Sequence, residues 1–191
     1  MPDPFLVLAT QNPIESDGTY PLPEAQLDRF MFKVLVDYPQ YNDEIVVIER
    51  MLGPAIQLNA LITPDLLRTM QQAAASVYVD PHVMAYAATL VNATRRPADE
   101  GLKDIAPALQ FGGSPRASIN LAVGARALAY MRGRQYVLPQ DVADLLPDVL
   151  RHRLVLSYEG LAQGVTPETV ISAVLQRFPP PRLDLGDRHA A

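Results

Sequence analysis

The sequence predicts a mainly α-helical bundle preceded by a short βαβ remnant, and three observations carry that reading. A capping residue followed by proline recurs at Thr63-Pro64, Asp80-Pro81, Ser114-Pro115 and Thr166-Pro167. This pattern marks helix starts, because proline at the first helical position gives up only an N–H that has no partner there. Leu66, Leu67, Met70, Ala74 and Val77 follow one another at helical steps, giving one apolar stripe that is expected to be buried. Two β-rich runs, residues 5–9 and 32–36, flank a helix-compatible piece at 24–30, as in a parallel βαβ unit.

Taken in order, residues 1–4 are too short for an element, and 15–19 carry turn chemistry. Pro21-Leu22-Pro23 leads into a helix whose first turn holds Glu24. Tyr38-Pro39 ends the second run and divides the chain into 1–38, a helical part at 39–178 and a tail at 179–191 expected to be mobile. Helices are expected at about 81–96, 115–131, 136–150 and 167–177. The helix at 115–131 is apolar nearly all round, so it should lie centrally. Leu138 stands at a capping position without a side-chain acceptor, so that helix start should fray at a cost of about 1 kcal/mol. Residues 98–110 read as irregular with a turn at 102–105, 153–158 hold a short strand, and 159–165 form a glycine-bearing loop.

Composition bounds the function. With 49% apolar and 19% charged residues the chain can bury a sizeable core. It has no cysteine, which excludes disulfides and thiolate metal sites. His82, His152 and His189 are scattered, so no metal cluster is expected. A net charge of −5 and a pI near 5.1 argue against nucleic acid. The compact basic groups, Arg95-Arg96 and Arg151-His152-Arg153, read as helix-end charges facing the negative end of a dipole. No apolar run reaches the ~18 residues of a membrane span and no basic leader opens the chain, so membrane insertion is not expected and a cytoplasmic location is.

Three residues could carry chemistry. Asn12 follows an apolar run, where a neutral amide can hold a water against a phosphate; before Pro13 an asparagine is more often a turn former. Arg29 follows Asp28, with which it could make a surface pair worth at most ~1 kcal/mol. Arg116 stands at the second position of a helix, where the dipole disfavours a cation by ~0.3–1 kcal/mol, so an anionic partner is expected, a phosphate or a nearby carboxylate. No Ser-His-Asp arrangement is present. Neither is a G-x-x-x-x-G-K-[ST] phosphate loop, nor an apolar strand ending in a magnesium-binding acidic pair.

ATQNP, GTYPLPEAQLDRF and GGSPRA occur in that order, and with them the chain resembles the MoxR family of AAA+ ATPases from residue 5 to about 178. The resemblance implies a carboxyl-terminal part of such an ATPase: residues 1–38 as the end of its core and 39–178 as its helical lid. It implies that Asn12 is the sensor-one residue orienting the attacking water, and Arg29 the finger reaching a neighbouring subunit's γ-phosphate. Arg116 becomes the sensor-two residue, with Ser114 and Pro115 beside bound nucleotide, Gly112 and Gly113 a flexible lead into the helix, and Glu24 near the subunit boundary. The complete protein would use ATP and Mg2+ in a homo-oligomeric ring that remodels proteins together with partners carrying a von Willebrand factor A domain. The family's phosphate loop lies upstream of ATQNP, so the chain alone is expected to be inactive. A magnesium-chelatase-like motor subunit and a non-catalytic helical binding module are the alternatives. Residues before Tyr38 are expected either to dock on the lid in an arrangement unlike the family's or to pair with another copy.

Overall fold

A computed structural model describes residues 3–11 and 22–181. Its helices in chain order are α1 (Glu24–Leu27), α2 (Tyr41–Leu52), α3 (Pro64–Ala75), α4 (Pro81–Arg95), α5 (Pro115–Met131), α6 (Pro139–Leu150), α7 (Tyr158–Ala162) and α8 (Pro167–Arg177). Two short strands, β1 (Leu109–Phe111) and β2 (Val155–Leu156), pair antiparallel with Leu109 opposite Leu156. The mainly helical expectation holds.

Each of the four cap-proline sites opens a helix. Thr63, Asp80, Ser114 and Thr166 accept a backbone N–H from Leu66, His82, Arg116 and Thr169, satisfying a donor that the first turn leaves without a partner. The core lies between α4, α5, α6 and α8, where Leu90, Val91, Leu121, Leu146, Val149, Leu150, Val170, Ile171 and Val174 lose all or nearly all contact with solvent.

Several expectations change. The runs at 5–9 and 32–36 form no ladder among the described residues, so the parallel βαβ pair is not made, and α1 is a single turn. Two strands alone bury too little to hold one another. Residues 31–33 find partners on the helical body instead, where the Lys33 N–H donates to the Asp148 carbonyl at 2.8 Å. The α3 stripe is only partly covered: Val77 is buried, but Leu66 and Met70 remain exposed because α3 packs at the margin, against α5. α5 is central on one face through Ala117, Leu121, Ala125 and Ala129, while Ile119 and Val123 face outward.

The start of α6 is fixed in spite of Leu138. Asp141, fully buried, accepts the Leu138 N–H at 2.8 Å and is held by Arg132 at 2.7 Å and Arg134 at 2.6 Å, so a third-position carboxylate replaces the missing cap. The irregular 98–110 segment ends in a 3₁₀ turn (Ala106–Ala108) and β1, and the loop at 159–165 begins as α7, capped by Ser157. A Cβ on Gly160 would lie 2.6 Å from the Ala108 carbonyl oxygen, so glycine lets these two segments touch.

Candidate functional site

The turn that follows α6 and the first turn of α5 meet around one carboxylate, that of Asp28. At the start of α5, Ser114 Oγ accepts the Arg116 N–H at 3.2 Å and donates to Asp28 Oδ1 at 2.8 Å, while Arg116 Nη1 donates to Asp28 Oδ2 at 2.6 Å. From the other side comes Arg153, only 5% exposed. Its Nε donates to Asp28 Oδ1 at 2.9 Å, and its Nη2 to the carbonyls of Asp28 at 2.9 Å and Phe30 at 2.6 Å. Its Nη1 reaches the Met31 carbonyl at 3.3 Å and the carbonyl of Val149, which the end of α6 leaves without a helical partner.

The neighbours of Arg153 extend this clasp. His152 Nε2 donates to the Phe30 carbonyl at 3.1 Å. Arg151 binds the Lys33 carbonyl and Asp148, and meets Glu168 of α8 at 3.0 Å. Met31 and Phe32 cover α5 at Gly124, where an added Cβ would stand 3.1 Å from the Phe32 ring. The segment 28–33 is thereby fastened to α5 and α6.

Burial raises the Asp28 carboxyl, but the hydrogen bonds from Ser114 and Arg153, the Arg153 charge and the Arg116 bond outweigh it and hold it below the usual carboxylate range. Burial pulls Arg153 down, although the guanidinium stays charged at neutral pH beside this carboxylate. Burial, followed by the Arg153 charge, pushes His152 down to about 4, so the imidazole is neutral.

Gly112 and Gly113, expected as a flexible lead into α5, are instead a close-packed one. A Cβ on Gly112 would fall 2.3 Å from the Thr94 carbonyl oxygen, and one on Gly113 2.8 Å from Leu150 Cδ2. The Gly113 N–H donates to Thr94 Oγ1 at 2.9 Å and its carbonyl accepts from Arg95 Nε at 2.6 Å. Neither glycine has positive φ, so close approach is what requires them.

Of the sequence-derived candidates, Arg116, Ser114 and Pro115 sit together at the α5 N-terminus, and the anion expected for Arg116 is here Asp28. Arg29 is exposed in the turn after α1, and its neighbour Asp28 pairs with Arg116 and Arg153 rather than with it. Glu24 borders a groove shared with Leu154, Leu156, Tyr158 and Leu161. Asn12 lies outside the described residues. Sequence reasoning missed Asp28 and Arg153; the signal was the Arg151-His152-Arg153 triplet, read there only as helix-end charge. Among the described residues no three His, Asp or Glu side chains converge as a metal site.

Comparison with known proteins places both halves of this site. Residues 1–32 match the model of the ATPase family associated with various cellular activities (AAA), and residues 102–174 match the AAA lid domain. The chain is 50% identical to chaperone MoxR1 of Mycobacterium tuberculosis over 96% of its own length and 49% of that protein's. The chain belongs to the MoxR family of AAA+ ATPases. It is also 38% identical to the uncharacterized protein YeaC of Bacillus subtilis, over 91% of this chain and 52% of that one. It is 35% identical to the protein MoxR of Paracoccus denitrificans, over 92% and 56% of the two chains. The crystal structure of a candidate ATPase from Cytophaga hutchinsonii superposes with a TM-score of 0.90 at 38% identity, over 95% of this chain and 56% of that one. The chain spans about half the length of the curated relatives it matches. Asp28 and Arg29 fall in the AAA match and Arg116 and Arg153 in the lid match, so the Asp28 clasp joins the two. Among the described residues no helix is long and apolar enough to cross a membrane.

Proposed function

We propose that this chain forms the lid and the finger-bearing end of a nucleotide-driven protein-remodelling ATPase, working joined to a half that grips phosphate and magnesium. One observation carries the reading. Arg116 and Ser114, at the positive end of α5, already hold an oxyanion at 2.6 and 2.8 Å, the carboxylate of Asp28, beside the exposed Arg29. A donor set that binds a carboxylate by a guanidinium, a hydroxyl and a helix N-terminus fits a phosphate equally well. Bound ATP supplies a phosphoryl group whose transfer spreads charge over oxygens, which fixed cations stabilise.

In this reading Arg116 steadies phosphate from the lid, with Ser114 and Pro115 setting its backbone, and Arg29 reaches across a ring interface to the neighbour's site. Asn12 orients the attacking water. Among the described residues no three His, Asp or Glu side chains gather as a metal site, so the magnesium ion is assigned to the phosphate-gripping half. The chaperone role named for the tuberculosis relative, a cytoplasmic location, a homo-oligomeric ring and a partner with a von Willebrand factor A domain extend the same proposal.

The test uses the complete subunit, with the present chain alone expected to turn over ATP no faster than a buffer blank. Arg29→Ala should reduce turnover by the ~10³-fold or more typical of a lost finger while nucleotide affinity stays within about twofold. Mixing it with a subunit disabled in its phosphate grip should restore part of the activity, because an intact site then meets an intact finger. Mixtures that assemble into rings yet stay inactive at every ratio would refute the trans role.

A further inference from the structure

We propose that Arg153 is a positioning residue for Arg29, fastening the turn that carries the finger to the lid so that Arg29 moves with the lid of its own subunit. The inference rests on Arg29 being the finger and goes beyond it, because it gives the finger a mechanical owner.

The Arg153 guanidinium takes hold on both sides of Arg29. It binds the carboxylate and carbonyl of Asp28, and the carbonyls of Phe30 and Met31, while remaining attached through Val149 to the end of α6. The backbone before and after Arg29 is therefore fixed while the Arg29 side chain stays in solvent. A role confined to stability would need only the ion pair, and a buried ion pair adds little net stability over an apolar replacement. Here three of the acceptors on the finger turn are backbone carbonyls, which define the path of the chain. Only the planar five-donor fork of arginine can reach them together; a lysine ammonium has three donors on one nitrogen. Asp28 adds a second connection, since the carboxylate that binds Arg153 also binds Arg116 and Ser114 of α5. Displacement of the lid thus carries Arg29 with it, and a movement at one nucleotide site alters the finger offered to the next.

Two measurements test this. In the present chain, Arg153→Lys should speed amide exchange at Arg29, Phe30 and Lys33 by ~10-fold or more, while the buried amides of α4 and α5 stay within about twofold. Equal acceleration throughout, or none at the turn, overturns the proposal. In the complete subunit, Arg153→Lys should lower turnover at least ~10-fold with nucleotide affinity nearly unchanged, and activity should return on mixing with the grip-deficient subunit. A purely structural role predicts loss without rescue. If Arg29→Ala is rescued by mixing and Arg153→Lys is not, the positioning role falls while the finger stands; if Arg29→Ala leaves turnover intact, the finger reading itself falls. Asp28→Asn, which weakens the same hold on the turn, should speed amide exchange at Arg29, Phe30 and Lys33 in the same selective way, and that measurement decides the matter if Arg153→Lys does not fold.

Discussion

Acidification from pH 7 to pH 5 should weaken the fold by about 2 kcal/mol through His152 alone. Its Nε2–H donates to the Phe30 carbonyl, and its Nδ1 is buried without a partner among the described residues, so protonation would place a charge next to Arg153 in a site with no acceptor for it. In the unfolded chain the imidazole protonates near 6.5, and in the folded chain only at about 4. The unfolded state therefore binds more protons across this interval, and stability is full above pH 7 and declines as pH falls. The decline totals about 3 kcal/mol by pH 4, below which both states are protonated and it levels off. Asp28 and Asp141, both held below the usual carboxylate range, keep their contributions throughout and lose them only as pH falls further, through their folded values. Urea unfolding followed by circular dichroism at pH 7, 6 and 5 should show this slope. His152→Gln, which keeps an N–H for Phe30 but does not titrate, should flatten it, the other two histidines being unchanged. A wild-type midpoint constant over this range, or a variant as steep as the wild type, would refute the reasoning.

Two further changes test the packing that holds the site. Gly112→Ala should destabilise the chain by about 3 kcal/mol, because its Cβ would overlap the Thr94 backbone, which cannot rotate away as a side chain can; a lowered thermal midpoint checks this. Asp141→Ala should cost about 2–3 kcal/mol, since it removes the acceptor for the Leu138 N–H and for two arginines, partly offset because Arg132 and Arg134 can turn to water. Urea midpoints for the variant and the wild type measure that loss.

Helix starts were legible because a cap and the backbone N–H that it accepts lie two or three residues apart, so Thr63, Asp80, Ser114 and Thr166 each specify their helix without knowledge of the rest. Leu138 misled because the compensating group, Asp141, is an ordinary first-turn acid in sequence; only its burial between Arg132 and Arg134 gives it the weight of a cap. The α3 stripe announced a helix correctly but could not say what covers it. Arg116 needed an anion by the logic of the helix dipole alone, and the resemblance carried by GGSPRA implies nucleotide as that anion. Which anion it meets here, and that Gly112 and Gly113 serve close packing against α4 and α6, came from how the helices are stacked. Asp28 and Arg153 stand 125 residues apart, and no local periodicity links them. Short-range signals thus determined the helices, the family and the candidate arginines. The joining of the turn that carries Arg29 to the helical body was decided only in three dimensions, because a pairing over that separation exists only once the packing of α5 and α6 has brought their ends to one carboxylate.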